Sequence, residues 1–426
     1  MIATQLTIFP PEPTATSAPA ADQPDLPNGW RWVKLGDVCD KVAKTGSRFQ
    51  EPDGAFQYID IDAIDNLKYK VVSPKSYTWA TAPSRAQQVV EAEDVVFSTV
   101  RTYLKNIAQV PDSLDGEIAS TGFCVLRAGD ELDSQFLFHY VLTEAFLRPL
   151  NEIQRGTSYP AVRNGDVFDQ PIPLPPLAEQ QRIVAKIEEL FSEIDAGVGE
   201  IETALQRLKT YRQAVLHHFL SNESWERVKL GNVVESMQYG TSDKAEHDET
   251  GIPVLRMGNI QDGALDFTNL KYFAQNHPEI DKYVLEPGDV LFNRTNSAEL
   301  VGKTAVFKEN HPTSVFASYL IKLRVEKDIY NADFLSLYIN SIFGRNFIKT
   351  VVSQNVGQAN VNGTKLKGFV IPLPNLDIQT RVVQAIEARL SEADALEKTL
   401  RTELQRAERL RQSVLKQAFS GKLVQP

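Results

Sequence analysis

Two kinds of apolar pattern alternate along this chain, and each occurs twice. Ile187, Ile194, Ile201, Leu208 and Val215 recur every seven residues, flanked by Leu190, Phe191, Val198, Leu205 and Phe219. A seven-residue period held over roughly 40 residues predicts a coiled-coil helix about 60 Å long. Ile386, Ala393, Leu400, Ala407 and Val414, with Leu390, Leu396, Leu404 and Leu410 beside them, predict a second such helix. Gly197 and Gly199 fall in the middle of the first and should weaken or bend it, at a cost of about 1 kcal/mol each relative to Ala.

Ahead of each helix the pattern changes to short apolar runs broken by turn residues. Phe56–Ile61, Val71–Val72, Val89–Val90, Val95–Val100 and Gly122–Leu126 come first, and Pro253–Met257, Asp289–Phe292 and Ser314–Val325 follow in the second half. They are too short and too β-branched for helices and predict strands, with Ser314–Val325 a strand pair or one long strand. One helical stretch accompanies each set, Ser134–Leu147 and Ala332–Ile348. Each half is therefore predicted to hold an α+β domain of about 140 residues.

The two halves are copies. IPLPPLAEQQRIVAKIEELFSEIDA at 172–196 matches IPLPNLDIQTRVVQAIEARLSEADA at 371–395 in 14 of 25 positions, and WRWVKLGDV at 30–38 matches WERVKLGNV at 225–233 in six of nine. The period, near 200 residues, is too long for a solenoid repeat, so each copy is a folding unit. Pro171, Pro173, Pro175 and Pro176 hold the approach to the first helix extended, because proline lacks a donor and pushes its predecessor out of the α region.

A 60 Å helix cannot bury its seam on a domain of about 30 Å, so the second helix is its natural partner. The predicted fold class is α+β: two duplicated α/β domains separated by two long antiparallel coiled-coil helices, pseudo-two-fold. The expected boundaries are a disordered lead-in at 1–27, a domain at 28–171, a central spacer helix at 172–224, a second domain at 225–370 and a C-terminal spacer helix at 371–426. Ile187, Ile194, Ile201, Leu208, Val215, Ile386, Leu400 and Val414 are the expected helix and partner interface. Apolar positions on a second flank suggest a groove for helices from other subunits, against the alternative that the pair is only a spacer.

Composition narrows the class. Residues 1–27 are rich in Pro, Ala and Thr with no Lys or Arg, no apolar run approaches a membrane span, and two cysteines suit a reducing cytoplasm. A net charge of -10 argues mildly against nucleic acid, yet residues 225–370 are nearly balanced, with 16 Lys and Arg against 17 Asp and Glu. Phosphate contact needs a local cluster of cations, so DNA binding stays open, with help from a partner.

No phosphate loop, dinucleotide fingerprint, nucleophile elbow or H-E-x-x-H motif is present, and the six histidines are scattered. His217 and His218 are adjacent at a helix end, where a favourable charge explains them. Asp60, Asp62 and Asp65 alternate and are expected on a solvated strand face. No catalytic and no metal-binding residue is assigned.

Polar, basic and aromatic loops instead recur at matching places. KTGSR at 44–48 faces QYGTSDK at 238–244, STVRTYLK at 98–105 faces FNRTNS at 292–297, and QRGTSYPAVR at 154–163 faces SQNVGQANVN at 353–362. Their side chains are those that read base edges and phosphates. The candidates for DNA contact are Lys44, Thr45, Ser47, Arg48, Arg101, Tyr103, Lys105, Arg155, Ser158, Tyr159 and Arg163 in the first domain. In the second they are Tyr239, Thr241, Lys244, Arg256, Asn259, Arg294, Asn296, Lys303, Gln354, Gln358 and Asn360. Arg101 and Arg294 fall close in the aligned loops without sharing an aligned position.

With these features the sequence resembles the specificity subunit of type I restriction-modification enzymes, over nearly the whole chain from Trp30 onward. The two W-x-x-V-K-L-G-[DN]-V segments, the two IPLP-x-L…Q-x-R helix starts and AFSGKLV at 418–424 carry the resemblance. It implies two target-recognition domains, each reading one half of a bipartite double-stranded DNA sequence, with helices that space the half-sites and dock two methyltransferase subunits. S-adenosylmethionine, ATP and Mg are then expected in the methyltransferase and motor-nuclease partners, with no cofactor in this chain. Residues 1–27 depart from the commonest family pattern. Two other readings remain beside this one: a stand-alone DNA-modifying enzyme, disfavoured by the missing motifs, and a protein-interaction scaffold with two ligand-binding ends.

Overall fold

The computed structural model describes residues 25–46, 53–355 and 358–424; at 353–355 and 358 the backbone alone is described. Most of the expected lead-in, with Ser47 and Arg48, lies outside the described residues. The chain divides into two compact units, one built from residues up to Val198 together with those from Gln405 on, the other from Gly199 to Leu404.

In each unit the two segments that betray the duplication lie side by side. Strand Arg31–Lys34 pairs antiparallel with Pro171–Leu174, and Arg227–Lys229 pairs with Val370–Pro372. A two-stranded ribbon tolerates prolines because an edge strand can leave donors unused. The following leucines, Leu35 and Leu230, turn fully inward, and their N–H groups donate to the carbonyls of Gln170 (2.9 Å) and Phe369 (2.7 Å). A Cβ on Gly36 would stand 3.1 Å from Phe168 Cβ, and one on Gly231 would stand 3.3 Å from Lys367 Cβ. The repeated K-L-G therefore records one buried anchor and one close approach.

Three antiparallel strands recur as the centre of each domain: Phe123–Ala128, Val95–Ser98 and Ile107–Gln109, matched by Leu320–Val325, Val290–Asn293 and Thr304–Val306. Side chains on a strand alternate between faces, and here both faces are buried. Val95, Phe97, Cys124 and Leu126 enter the core shared with the helices, while Val96, Phe123 and Val125 enter a second core. Unit two divides in the same way, with Val290, Phe292, Ile321 and Leu323 on one side and Leu291, Ala305 and Leu320 on the other.

A buried ion pair locks this centre in both copies. Arg127 bonds Asp94 through Nε (2.9 Å) and Nη2 (2.7 Å), and Arg324 bonds Asp289 through Nε (2.8 Å) and Nη2 (3.0 Å). Each aspartate also accepts the N–H of the residue three before it, Glu91 or Glu286, at 2.8 Å. Hydrogen bonding to these carboxylates raises both guanidinium pKa values above their ordinary range. With Asp94 and Asp289 almost fully buried, removal of either partner would strand a charge, at a cost of about 3–5 kcal/mol.

Two expectations need correction, and one alternative is decided. The stretch 134–147 is two helices, Ser134–Val141 and Glu144–Glu152, and its twin is Ala332–Asn340 and Ile342–Val351. Buried Thr143 and Ser341 cause the break: each hydroxyl caps the new helix by accepting an N–H (3.2 Å) while donating back to Tyr140 or Tyr338. The run Ser314–Val325, expected as a strand pair or one long strand, is a pair of strands in different sheets, Val315–Phe316 and Leu320–Val325. The aspartates near 60 do not form a strand face; Asp60 caps the turn Ile61–Ala63 and pairs with Lys75 at 2.6 Å, and Asp65 accepts the N–H groups of Leu67 and Lys68.

The long helices run Leu177–Leu220 and Leu376–Ala418, the first unbroken through Gly197 and Gly199. Each starts from a fully buried glutamine. Gln180 Nε2 donates to the carbonyls of Glu131 (2.8 Å) and Pro175 (2.9 Å), and its Oε1 accepts the N–H of Asp133 (2.8 Å). Gln379 does the same with Ile329 (3.0 Å), Pro374 (2.7 Å) and Asn331 (2.7 Å).

Within each unit the two helices pack antiparallel. Arg212 bonds Asp394 (2.5 Å) and Glu397 (2.6 Å), and Arg411 bonds Asp195. These bonds are one contact repeated at an offset of 199 with the helices exchanging roles. Ile187 and Val414 share the core of the first unit, while Val215 and Ile386 share that of the second. Leu208 is buried, and Ile194, Ile201 and Leu400 are half-buried. In AFSGKLV, Phe419 packs on Phe136 (4.9 Å) and Tyr140 (5.1 Å), and Gly421 at φ +68 ends the helix.

Gln180→Ala should leave the Asp133 N–H and two buried carbonyls without partners and destabilise the first domain by about 3 kcal/mol. Urea unfolding followed by tryptophan fluorescence would show the first-domain transition moved to lower denaturant, and Gln379→Ala should move the second.

Candidate nucleic-acid interface

In the second unit the three predicted loops meet at Arg294. Its N–H donates to Tyr319 O (3.0 Å) and its carbonyl accepts Val361 N–H (2.9 Å), so the backbone is held from both sides. The guanidinium carbon lies 4.9 Å from the Tyr239 ring centroid, within cation–π range. Nη1 and Nη2 reach Ser318 O and Asn360 Oδ1, each at 3.4 Å. The supports are themselves fixed: Tyr239 OH accepts Gly363 N–H (2.7 Å), and Asn360 Nδ2 donates to Thr295 Oγ1 (2.9 Å). Strands Thr295–Asn296, Gln358–Asn360 and Ser353–Asn355 form a small sheet beside it, which places the backbone of Gln354 and Gln358 there.

The first unit joins its second and third loops in the same way, through single bridges. Val100 pairs with Ala161, and Arg155 with Ala161 across a hairpin that carries Ser158 and Tyr159. Arg101 donates its N–H to Pro160 O (2.7 Å) and Nη2 to Ser158 O (3.0 Å), and its guanidinium carbon lies 5.0 Å from the Tyr159 ring centroid. Its φ of 50 is left-handed, a conformation that costs a non-glycine residue roughly 1–2 kcal/mol. Tyr159 is 72% exposed and Tyr103 52%. The first loop goes elsewhere: Lys44 pairs with Gln88.

The remaining candidates separate by burial. Thr45, Thr241 and Asn259 are buried and belong to the framework. Asn259 Oδ1 accepts the Arg256 N–H (2.9 Å), and its Nδ2 donates to Asp266 O (2.9 Å) and Asn269 O (3.2 Å), which uses both ends of the amide. Three cations already have partners, Lys105 on Glu144 (2.9 Å), Arg155 on Asp166 (2.5 Å) and Lys303 on Gln261 (3.3 Å). Arg256 donates Nη2 to Asn269 O (2.8 Å), and Asn296 Oδ1 accepts Ser297 N–H (2.8 Å). Arg163 and Lys244 are exposed. Sequence reasoning missed Ser318 and Tyr319, the latter 46% exposed, because the stretch Ser314–Val325 was read for its strands alone. Their place in a turn between two strands of different sheets was the missing signal.

Arg101 and Arg294 differ from the arginines of the core. Among the described residues neither has a carboxylate within ion-pair distance, and each is held by a ring face and neutral oxygens. Such supports fix the guanidinium plane without cancelling its charge. Among the described residues no cluster of His, Cys, Asp and Glu could hold a metal ion, and no helix is long and apolar enough to cross a membrane.

The sequence profile of the type I restriction modification DNA specificity domain matches residues 27–204 and 222–406, one match for each half of the duplication. The chain belongs to the type I restriction-modification specificity-subunit family. It is 27% identical over 425 residues to the Type I restriction enzyme EcoKI specificity subunit of Escherichia coli (strain K12), covering 93% of this chain and 90% of that one. Identity to the StySPI specificity subunit of Salmonella potsdam is 25% over 423 residues, with the same coverage. A solved chain described under "complex assembly and conformational transition of the type I R-M system" matches at 32% identity and a TM-score of 0.76, over 94% of this chain and 100% of that one. The HsdS subunit of Thermoanaerobacter tengcongensis matches at 32% identity with a TM-score of 0.51, over 93% and 98%. This specificity subunit thus carries two copies of a DNA-recognition domain, each joined to a long helix.

As a framework residue, Asn259 should matter to stability. Asn259→Ala is expected to lower the unfolding free energy of the second domain by about 2 kcal/mol, read as a shift in its urea midpoint, while retained protein binds DNA as the parent does.

Proposed function

We propose that the two loop surfaces are the DNA-reading faces of this specificity subunit, the first centred on Arg101 with Tyr103, Ser158 and Tyr159, the second on Arg294 with Tyr239, Asn296 and Asn360. The observation that carries this is the pair of uncompensated, stacked arginines at the meeting of the loops in each unit. A positive guanidinium held beside exposed tyrosines suits phosphate and base contact in duplex DNA, and exposed Arg163 and Lys244 supply further charge at the rim, with Lys105 and Arg155 already paired to Glu144 and Asp166. Each face would read one half of a bipartite target.

The long helices would space the half-sites and dock two methyltransferase subunits. Leu396 and Leu410 support docking, since they stand 49% and 51% exposed on an otherwise charged surface. In this reading the chain contributes no catalytic group. S-adenosylmethionine would sit in the methyltransferase subunits, ATP and Mg would be used by motor-nuclease subunits, and the complex would work in the cytoplasm.

Arg294→Ala should weaken binding of the assembled complex to its cognate duplex by about 1–3 kcal/mol and relax only one half-site. Equal affinities of variant and parent at matched salt would refute the assignment. Four residues inserted after Ile201 add about 6 Å of helix. Mapping of methylated adenines in cells carrying the system should then show a gap longer by about a base pair or two, with both half-sites unchanged, and an unchanged gap would remove the helix from the role of spacer.

A further inference from the structure

Two demands that duplex DNA can make on an arginine differ in geometry. A phosphate oxygen needs a nearby positive charge, which a flexible lysine supplies equally well. The O6 and N7 acceptors of guanine lie side by side in the major groove and take two N–H donors at once, which a guanidinium held in orientation presents as a rigid planar fork and a lysine ammonium meets only without that fixed geometry. The way the protein holds the side chain therefore carries information about what the side chain is for.

Arg101 and Arg294 are held as planes. In each, a tyrosine ring lies against the guanidinium, at 5.0 Å for Tyr159 and 4.9 Å for Tyr239. In each, a backbone carbonyl takes a terminal N–H, Ser158 O at 3.0 Å and Ser318 O at 3.4 Å. In each, Nε is buried with no hydrogen-bond partner, so the root of the group is out of water and only its outer edge can take a ligand. The backbone N–H is pinned in both, to Pro160 O at 2.7 Å and Tyr319 O at 3.0 Å. Arg127 and Arg324 show the contrasting case, with their forks closed on Asp94 and Asp289.

The two arginines reach this state from different positions. Thr99 O accepts Val162 N–H as Arg294 O accepts Val361 N–H, so Thr99 is the framework equivalent of Arg294, and Arg101 comes two residues later. The supporting tyrosine comes from the third loop in the first unit and from the first loop in the second. Common descent does not explain a match built from unlike positions, whereas a common ligand does.

We infer that each half of the DNA target contains a guanine whose O6 and N7 edge is read in the major groove by one stacked arginine, Arg101 for the first domain and Arg294 for the second. This rests on the reading of both faces as DNA-binding and adds the identity of one base in each half. The test is the methylated motif written by the complete complex in cells, for the parent, Arg101→Lys and Arg294→Lys. The parent motif should hold at least one fixed G·C pair in each half. Lysine keeps the charge and loses the two-donor plane, so each variant should relax a single G·C position in one half only, with discrimination falling about ten- to hundredfold. A half-site without a fixed G·C pair overturns the inference whatever the variants do. Variants that assemble and write the parent motif unchanged also overturn it, and assign the arginines to phosphate. A motif that is not bipartite would instead strike the underlying reading of two DNA-reading faces.

Discussion

One side chain in each half sets how a recognition domain is joined to its helix. Gln180 and Gln379 are fully buried amides, and both of their polar atoms must be satisfied within the protein. Each does so by bonding the proline approach of its own helix, the N–H of the first domain helix's N-cap residue and the carbonyl two residues before that cap. Three polypeptide segments are thereby fixed at a single point, and the direction of the helix as it leaves the domain is set by hydrogen bonds of definite geometry. A charged residue here would pay a large desolvation cost, and an apolar one would leave two carbonyls and an N–H unpaired.

Arginine is used in this protein for two opposite purposes, and the surroundings decide which. Arg127 and Arg324 are half-buried, and each meets at two points an almost fully buried aspartate, whose charge would be expensive unpaired. Arg101 and Arg294 lie at the surface end of the same central strands, supported by carbonyls, an amide and a ring. Only a few residues separate the two uses, Asp94 from Arg101 and Asp289 from Arg294. The structural pair gives a rigid strand end, and the strand end presents the loop that carries the free charge.

Much of this could be read from the sequence because it depends on periodicity and repetition. The heptads gave both long helices, found at Leu177–Leu220 and Leu376–Ala418, and the paired Trp-led and IPLP segments gave the duplication. What escaped was whatever depends on contacts across long sequence distances. Nothing local says that Tyr239 will lie against Arg294, or Tyr159 against Arg101. Thr45, Thr241 and Asn259 have loop-like chemistry and loop-like neighbours, yet they are buried. Composition cannot tell an asparagine that reads a base from one that satisfies a turn. The break at Thr143 and Ser341 was missed because apolar spacing continues across it, and only the buried hydroxyl shows that one helix ends and another begins.

The duplication also explains how two faces on one framework can recognise different DNA. The central strands with their order, the backbone bonds described above and the buried aspartates recur in both copies, and they do not restrict which side chains stand on the loops. At the position shared by Thr99 and Arg294, only the backbone N–H and carbonyl have fixed duties, and they are met by threonine in one copy and arginine in the other. The first domain then takes its arginine from Arg101 and accepts a left-handed backbone there. That strain is tolerable because the N–H bond to Pro160 and the ring of Tyr159 hold the residue in place. A framework that confines its demands to main-chain bonds can exchange one set of reading side chains for another without losing the fold.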